Sequence, residues 1–400
     1  MVNEMKKQLF VILNLSLVSG LVILGFNVIS PVLPQYALSF NIPIALTGWA
    51  VSSFALARVF TDIPAGILSD RFGRKRNMMF GLILVALSSI VTGTANIYTW
   101  LIVGRIIQGV GSALYITATT AWIANISAGK YRGRFMSLYS GLIFAGTSFG
   151  PSIGGYSAAR FGLNAPFFIY GAFAVLGLLA TLPLKEIKVD LQGRHSQIRL
   201  TDIRQVFLNP SFLIVNSAVF ALFFLRAGVR STLIPLYTSL NFGLSPDKIG
   251  ILLTVSAITT AVFTYPSGWL SDRIGRKIPI MSCLFVSSFA VVLIRFQDSV
   301  SALIPVMILY GFATGLQGSI AAWPADVAPP DKLGTAMGVY RVIGDIGMVL
   351  GPITVSYVVG YSGNQTITFL PFLIPAILAF ATGLLLIRAK DPAARKEERK

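Results

Sequence analysis

One charged stretch recurs in this chain, and it limits the possible folds more than any other feature. Gly66-Ile67-Leu68-Ser69-Asp70-Arg71-Phe72-Gly73-Arg74-Lys75-Arg76 lies between two long apolar runs. It returns as Gly268-Trp269-Leu270-Ser271-Asp272-Arg273-Ile274-Gly275-Arg276-Lys277, at an offset of 202 from Gly66 to Gly268. A dense charge cluster between membrane-length apolar runs has to sit in water or among headgroups. Topology alone would account for the basic residues, but not for the shared Gly, Asp and Gly spacing. Two copies half a chain apart imply two similar halves in parallel orientation.

Composition points the same way. Apolar residues make up 54% of the 400 positions and charged residues 12%, against roughly 25% charged in soluble domains. Twelve apolar runs are legible, at 9–33, 45–69, 77–95, 99–123, 135–158, 165–184, 211–236, 248–270, 278–296, 300–323, 334–359 and 368–389. The first is longer than a signal-peptide core and lacks a small-residue cleavage site, so it reads as a retained helix. The expected fold is an all-α membrane protein with twelve transmembrane helices in two pseudo-symmetric six-helix bundles. The expected divisions are 1–184, a linker 185–210, 211–390 and a tail 391–400.

Lys and Arg sort by side. With the repeated basic loops inside, 24 of the 32 lie on the inner face, and only Arg160, Lys248 and Arg295 lie on the outer face. Both termini are then cytoplasmic, and the membrane is the inner (plasma) membrane. The formal charge of +17 is a topology signal, spread over short loops, and gives no reason to expect nucleic acid. Cys283 is the only cysteine and His195 the only histidine, so no multi-cysteine metal site is expected and no role is assigned to the histidine. No metal, cofactor or enzymatic nucleophile–base pair is expected. Within the linker, Ile198 to Phe207 has the pattern of a short amphipathic helix on the inner leaflet.

The five remaining arginines fall inside apolar runs: Arg58, Arg105, Arg226, Arg230 and Arg341. An arginine inside a span costs several kcal/mol unless it faces a cavity or a partner. Arg58 and Asp62 are four apart, as are Arg341 and Asp345, so each pair shares a helix face. They read either as self-neutralising pairs or as cavity residues whose carboxylates carry protons. Every Glu (Glu4, Glu186, Glu397 and Glu398) reads as loop or tail. Arg226 and Arg230 have no carboxylate one turn away. That pattern disfavours a purely cationic substrate and favours an anionic, zwitterionic or neutral amphiphile. Arg230 reads equally well as reaching the outer interface.

G-x-L-S-D-R-x-G-R-K resembles the loop between the second and third helices of the major facilitator superfamily, repeated between the eighth and ninth. Gly146-Thr-Ser-Phe-Gly150-Pro151-Ser-Ile-Gly154-Gly155 resembles the fifth-helix signature of its antiporter branches. Leu24-Gly25 with Pro31-Val32-Leu33-Pro34 resembles a motif of the twelve-helix drug–proton antiporters. Leu101-x-x-x-Arg105-x-x-Gln108-Gly109-x-Gly111 is similar to the fourth-helix motif whose arginine is linked to proton transfer. The resemblance implies that Asp70 and Arg74 gate the cytoplasmic side, with Asp272 and Arg276 as a weaker second copy and Gly150 and Pro151 sealing the cavity. An acidic residue often joins the latch from the fourth helix. Here Asn125 stands in that place, and Asp326 stands at the corresponding place of the second half. Gly66 is expected to let a neighbouring helix approach closely.

The implied function is a secondary transporter that exports a small amphiphilic molecule or drug in exchange for protons, by alternating access. A proton-coupled symporter or importer of a metabolite or organic anion stands beside it. Asp62, Asp345 and Arg105 are the proton-coupling candidates. Phe26, Asn27, Arg58, Tyr115, Phe144, Phe224, Arg226, Tyr340 and Arg341 are the substrate candidates, because aromatics and amides hold varied ligands. Expected partners are the substrate, protons and the lipid bilayer, with the protein a monomer.

Overall fold

The computed structural model describes residues 2–126, 132–185, 205, 209–328, 332–361, 367–389 and 391. Its helices are α1 Val2–Ile29, α2 Leu33–Leu38, α3 Ile44–Phe72, α4 Arg74–Gly93, α5 Tyr98–Ile126, α6 Arg132–Phe161 and α7 Ala165–Thr181. The second half holds α8 Pro210–Phe224, a π-helical segment Leu225–Leu233, α9 Ile234–Phe242, α10 Pro246–Ile274 and α11 Lys277–Arg295. It continues with α12 Val300–Gly315, α13 Ala322–Val327, α14 Leu333–Tyr361, α15 Leu370–Leu385 and a 3₁₀ turn Leu386–Arg388. Each of the twelve apolar runs contains one long helix, and the fold is all-α as expected.

Among the described residues, nine helical stretches are long and apolar enough to cross a bilayer, while Ala165–Thr181 and Val300–Gly315 are shorter apolar helices. The twelfth, α6, spans 30 residues; its glycines, serines and basic first turn dilute its apolar character. Large apolar side chains such as Phe60, Phe80, Leu87, Phe161 and Phe289 are exposed on these helices. Hydrocarbon is the solvent that suits such a surface.

Breaks in the helices follow from backbone chemistry. The first apolar run does not stay helical to residue 33. It stops at Ile29, before Pro31, and restarts with Pro34 in the first turn of α2, where a missing donor costs nothing. The tenth run is also interrupted: α12 ends at Gly315, and a turn leads into α13. Gly73 and Gly275 separate α3 from α4 and α10 from α11 at φ values of 98° and 93°. L side chains avoid that region, which explains a glycine at this place in both copies. Glu4 falls in the first turn of α1 rather than in a loop, although it precedes the apolar stretch Leu9–Ile29.

The chain forms two compact units. The first holds Met1–Ile42, Ser53–Arg194 and Ser245–Thr254, and the second holds Pro43–Ser52, His195–Leu244 and Val255–Lys400. In the first, α1 and α6 meet along a glycine ridge. In the second, α14 meets α8 and the π segment in the same manner, where Gly347 and Gly351 face the carbonyls of Phe220 and Phe224. Most of the linker 185–210, including His195 and the amphipathic stretch apart from Gln205, lies outside the described residues, as does the tail beyond Asp391.

Candidate functional site

Arg105 is the centre of the first unit. α5 carries it to a position where it is 2% exposed. Its Nη1 donates to Gln108 Oε1 at 2.7 Å, and its guanidinium carbon lies 4.8 Å from the centre of the Phe54 ring. Gln108 Nε2 in turn reaches Ser89 Oγ at 3.2 Å and Thr92 Oγ1 at 3.4 Å. Phe54 is stacked at 4.9 Å against Phe26 of α1. A buried guanidinium needs such partners, because an unpaired one in a low-dielectric interior is prohibitively costly. The arginine therefore does not snorkel to the outer interface. Gln108 and Phe54 were not among the sequence candidates, although the three-residue spacing from Arg105 to Gln108 puts those two on one face of α5.

Arg58 and Asp62 form an ion pair at 3.4 Å, with side chains 13% and 8% exposed. Tyr170 of α7 is buried within electrostatic reach of both Arg58 and Arg105. Phe26 joins this cluster through Phe54. Asn27 is turned elsewhere: its Nδ2 donates to the Ile23 carbonyl at 2.8 Å. Tyr115 is buried, while Phe144 is half-buried.

The second unit has its own cluster. Arg226 is exposed and Arg230 half-buried on the π segment. Tyr310 of α12 donates to the Leu225 carbonyl at 3.3 Å. Tyr340 of α14 lies within electrostatic reach of Arg226, Arg341 and Asp345. Asp345 is 2% exposed. Phe224 is buried, 6.0 Å from the Phe220 ring. The sequence shows the four-residue spacing of the two arginines but not the π turn that carries them. No group of His, Cys, Asp or Glu able to hold a metal occurs among the described residues.

The two basic turns share one contact. Lys75 Nζ donates to the Leu182 carbonyl at 2.7 Å, and Lys277 Nζ donates to the Ile387 carbonyl at 2.6 Å. Elsewhere they differ. Asp70 is exposed, and Arg74 is 4% exposed with its Nη1 on the Ala121 carbonyl at 2.8 Å. Arg276 holds Asp272, and its Nε donates to Asp326 at 3.2 Å. Burial works against the Arg276 charge, and the hydrogen bonds and charges of Asp272 and Asp326 outweigh it, leaving its pKa above the usual arginine value. The second copy, the weaker one by resemblance, thus has carboxylates on both sides of its arginine.

Asp391 was not anticipated from the sequence. Its carboxylate accepts the backbone N–H of Arg276 at 3.3 Å and of Lys277 at 3.0 Å. Those are orphan donors at the start of α11, whose own N-cap offers no side-chain bond. A carboxylate there satisfies them and complements the helix dipole. Asp391→Ala is expected to lower stability by about 1–2 kcal/mol. Thermal unfolding of the purified protein checks this, and an unchanged midpoint sinks the capping role.

The glycines of α6 face two ways inside the first unit. A Cβ at Gly146 would meet the Gly20 carbonyl at 2.7 Å, one at Gly150 would meet Asn27 Cβ at 2.6 Å, and one at Gly154 would strike the Val28 carbonyl. This face is the seat of α1. Gly155 faces Pro246 and Asp247, and Ser152 Oγ lies 2.7 Å from Thr254 Oγ1. Gly66 does not make the expected close approach: among the described residues of other helices, the nearest atom to its would-be Cβ is Thr117 Cγ2 at 3.8 Å. A glycine permits a close contact without making one.

The Major Facilitator Superfamily model matches residues 15–227 and again 219–400. Multidrug resistance protein 1 of Bacillus subtilis is 28% identical over 93% of this chain and 94% of its own. The Quinolone resistance protein NorA of Staphylococcus aureus is 30% identical over 65% of this chain and 66% of its own. Among solved structures, a D-xylose–proton symporter superposes with a TM-score of 0.77 at 16% identity, covering 96% of this chain and 98% of that one. The doubled family match, the long helices of the described residues and the paired basic turns agree: this chain is a multi-pass membrane transporter, not an enzyme, and it belongs to the Major Facilitator Superfamily.

Proposed function

We propose that this transporter exports small amphiphilic molecules or drugs in exchange for protons, by alternating access of a central site. The observation that carries this reading is the likeness to drug-resistance relatives, which runs over nine tenths of the chain for Multidrug resistance protein 1. The glycine ridge of α6 supports it as well, since its pattern at Gly146, Gly150, Pro151, Gly154 and Gly155 resembles the antiporter signature.

In this reading, residues 1–184 and 211–390 act as the two moving halves, joined by the linker. The protein works as a monomer in the plasma membrane with both termini on the cytoplasmic side. Asp70, Arg74, Asp272 and Arg276 govern the cytoplasmic gate, with Gly150 and Pro151 sealing the cavity. Asp62 and Asp345 carry the coupling protons, and Arg105 takes part in the coupling from its own network in the first half. Phe26, Arg58, Phe144, Tyr340 and Arg341 face the cargo. Asn27, Tyr115 and Phe224 reach it when the buried faces open.

Everted vesicles test the exchange directly. Adding an amphiphilic dye should dissipate an imposed pH gradient, and the gradient should drive dye uptake. Asp345→Asn is expected to leave dye binding in place and to remove at least nine tenths of gradient-driven uptake. Asp62→Asn is the comparison, because Arg58 already holds that carboxylate. Full proton-driven uptake in both variants would falsify the coupling assignment.

A further inference from the structure

We propose that Arg226 and Arg230, on one side of the π-helical turn of the seventh span, form a clamp for a carboxylate, so that the preferred cargo is an acidic amphiphile. This deepens the export reading, and rests on it only in treating the bound molecule as cargo.

The argument begins with backbone shape. Leu225–Leu233 is π-helical, and hydroxyls reinforce it. Thr232 Oγ1 donates to the Ala227 carbonyl at 2.9 Å and Ser231 Oγ to the Arg226 carbonyl at 3.3 Å, each five residues back. Such bulges inside helices occur frequently at functional sites. Their wider turn makes four residues fall just short of one full turn, which brings the two guanidinium groups to one side. Gly228, between them, packs its backbone against Gly351 of α14. The helix is thereby seated on its small-residue side, away from the arginines.

Charge balance comes next. Among the described residues in the spans of the second unit, away from helix ends, the charged side chains are Arg226, Arg230, Arg341 and Asp345. Asp345 can neutralise one arginine, so two positive charges remain. Like charges one turn apart on a helix repel, and Arg226 is exposed at mid-span. Arg226 lies roughly 24 Å along the helix from Pro210 at 1.5 Å per residue, at a depth where charged side chains mark ligand or ion pathways. An anion between the two side chains relieves their mutual repulsion.

Arg230 supplies the specific vacancy. Its Nη2 is buried and has no hydrogen-bond partner among the described residues. A buried charged donor without an acceptor is expensive, and a carboxylate is the acceptor whose two oxygens match the planar fork of a guanidinium. Two tyrosines stand near the pair. Tyr310 lies within electrostatic reach of both arginines and Tyr340 of Arg226, and Tyr310 is fixed by its bond to the Leu225 carbonyl.

Full-length protein in lipid nanodiscs, titrated calorimetrically with 2-naphthoate and with 2-naphthamide, tests the clamp. These probes share a ring system and differ in charge at one group. The native protein should bind the carboxylate at least fivefold more tightly. Arg226→Gln and Arg230→Gln should each weaken naphthoate binding about tenfold while naphthamide changes less than twofold. Arg230→Lys should restore only part of the loss, because a point charge lacks the fork. Equal affinities of the native protein for the two probes, or equal losses of both in the variants, overturn the clamp. Where a glutamine variant does not fold, the native comparison and the lysine variant still decide. Vesicle export of the neutral amide separates the two proposals. Export retained without a carboxylate preference removes only the clamp. A carboxylate preference without export of either probe removes only the export reading.

Discussion

Arg105→Ala is expected to cut transport at least a hundredfold while the protein still inserts in the membrane. The side chain donates a charged hydrogen bond to Gln108 and covers the Phe54 ring. A charged hydrogen bond contributes about 1.5–3 kcal/mol, and a desolvated cation–π contact adds about 2 kcal/mol. Their loss frees Gln108, which then has no donor for Oε1 and no reason to keep its amide on Ser89 and Thr92. The carbonyl of Thr92 also receives the Tyr36 hydroxyl at 2.9 Å, so disorder spreads toward α2. A hundredfold change corresponds to about 2.7 kcal/mol, within that range. Arg105→Lys should rescue little, since a compact ammonium cannot both reach the Gln108 amide and spread its charge over the ring. Transport and thermal stability should be measured together. Transport above half the native rate in Arg105→Ala would show that the network is scaffolding only.

Gly154→Val is expected to prevent stable assembly of the first unit. A Cβ there would strike the Val28 carbonyl oxygen, and it would lie 2.6 Å from the Val28 carbonyl carbon and 2.9 Å from its Cα. All three are backbone atoms of α1, so no rotamer change makes room. Relief requires α1 and α6 to separate along the whole ridge from Gly146 to Gly154. Overpacking a tight core costs roughly 1–3 kcal/mol, and more where backbone must move. Gly141→Ala on the same helix is the comparison, because among the described residues no atom outside its own helical turn lies within 4 Å of its would-be Cβ. Yield of monodisperse protein and its melting temperature report the result. A valine variant as stable as the alanine variant would mean that the ridge does not hold the two helices together.

These two cases also separate what is legible in a linear chain from what is not. The glycine ridge was visible as a motif. Which helix it seats was not, since spacing shows that a smooth face exists and says nothing about its neighbour. Arg105 was recognisable from cost alone, because a buried charge in an apolar run needs a reason. Its reason, the Gln108 amide and the Phe54 ring, depends on α3 and α5 meeting at that height. The basic turns were legible down to their glycines, whose positive φ values follow from residue type. Asp391 was not, because it lies 115 residues from Arg276 in sequence and reads as part of a solvated tail.

The sequence by itself determined the number, order and pairing of the spans. Hydrocarbon admits only helices and closed barrels, and continuous apolar runs of about twenty residues suit helices, so each of the twelve runs holds a long helix, and a repeat at an offset of 202 makes two similar halves. Tertiary structure alone decided where each charge rests: Arg105 beneath Phe54, Arg276 between Asp272 and Asp326, and Arg230 on a π turn with one nitrogen unmet. Burial in a bilayer is a local property that each run carries in its own composition. The environment of a polar group is set by neighbours contributed from distant parts of the chain, and only packing brings them together.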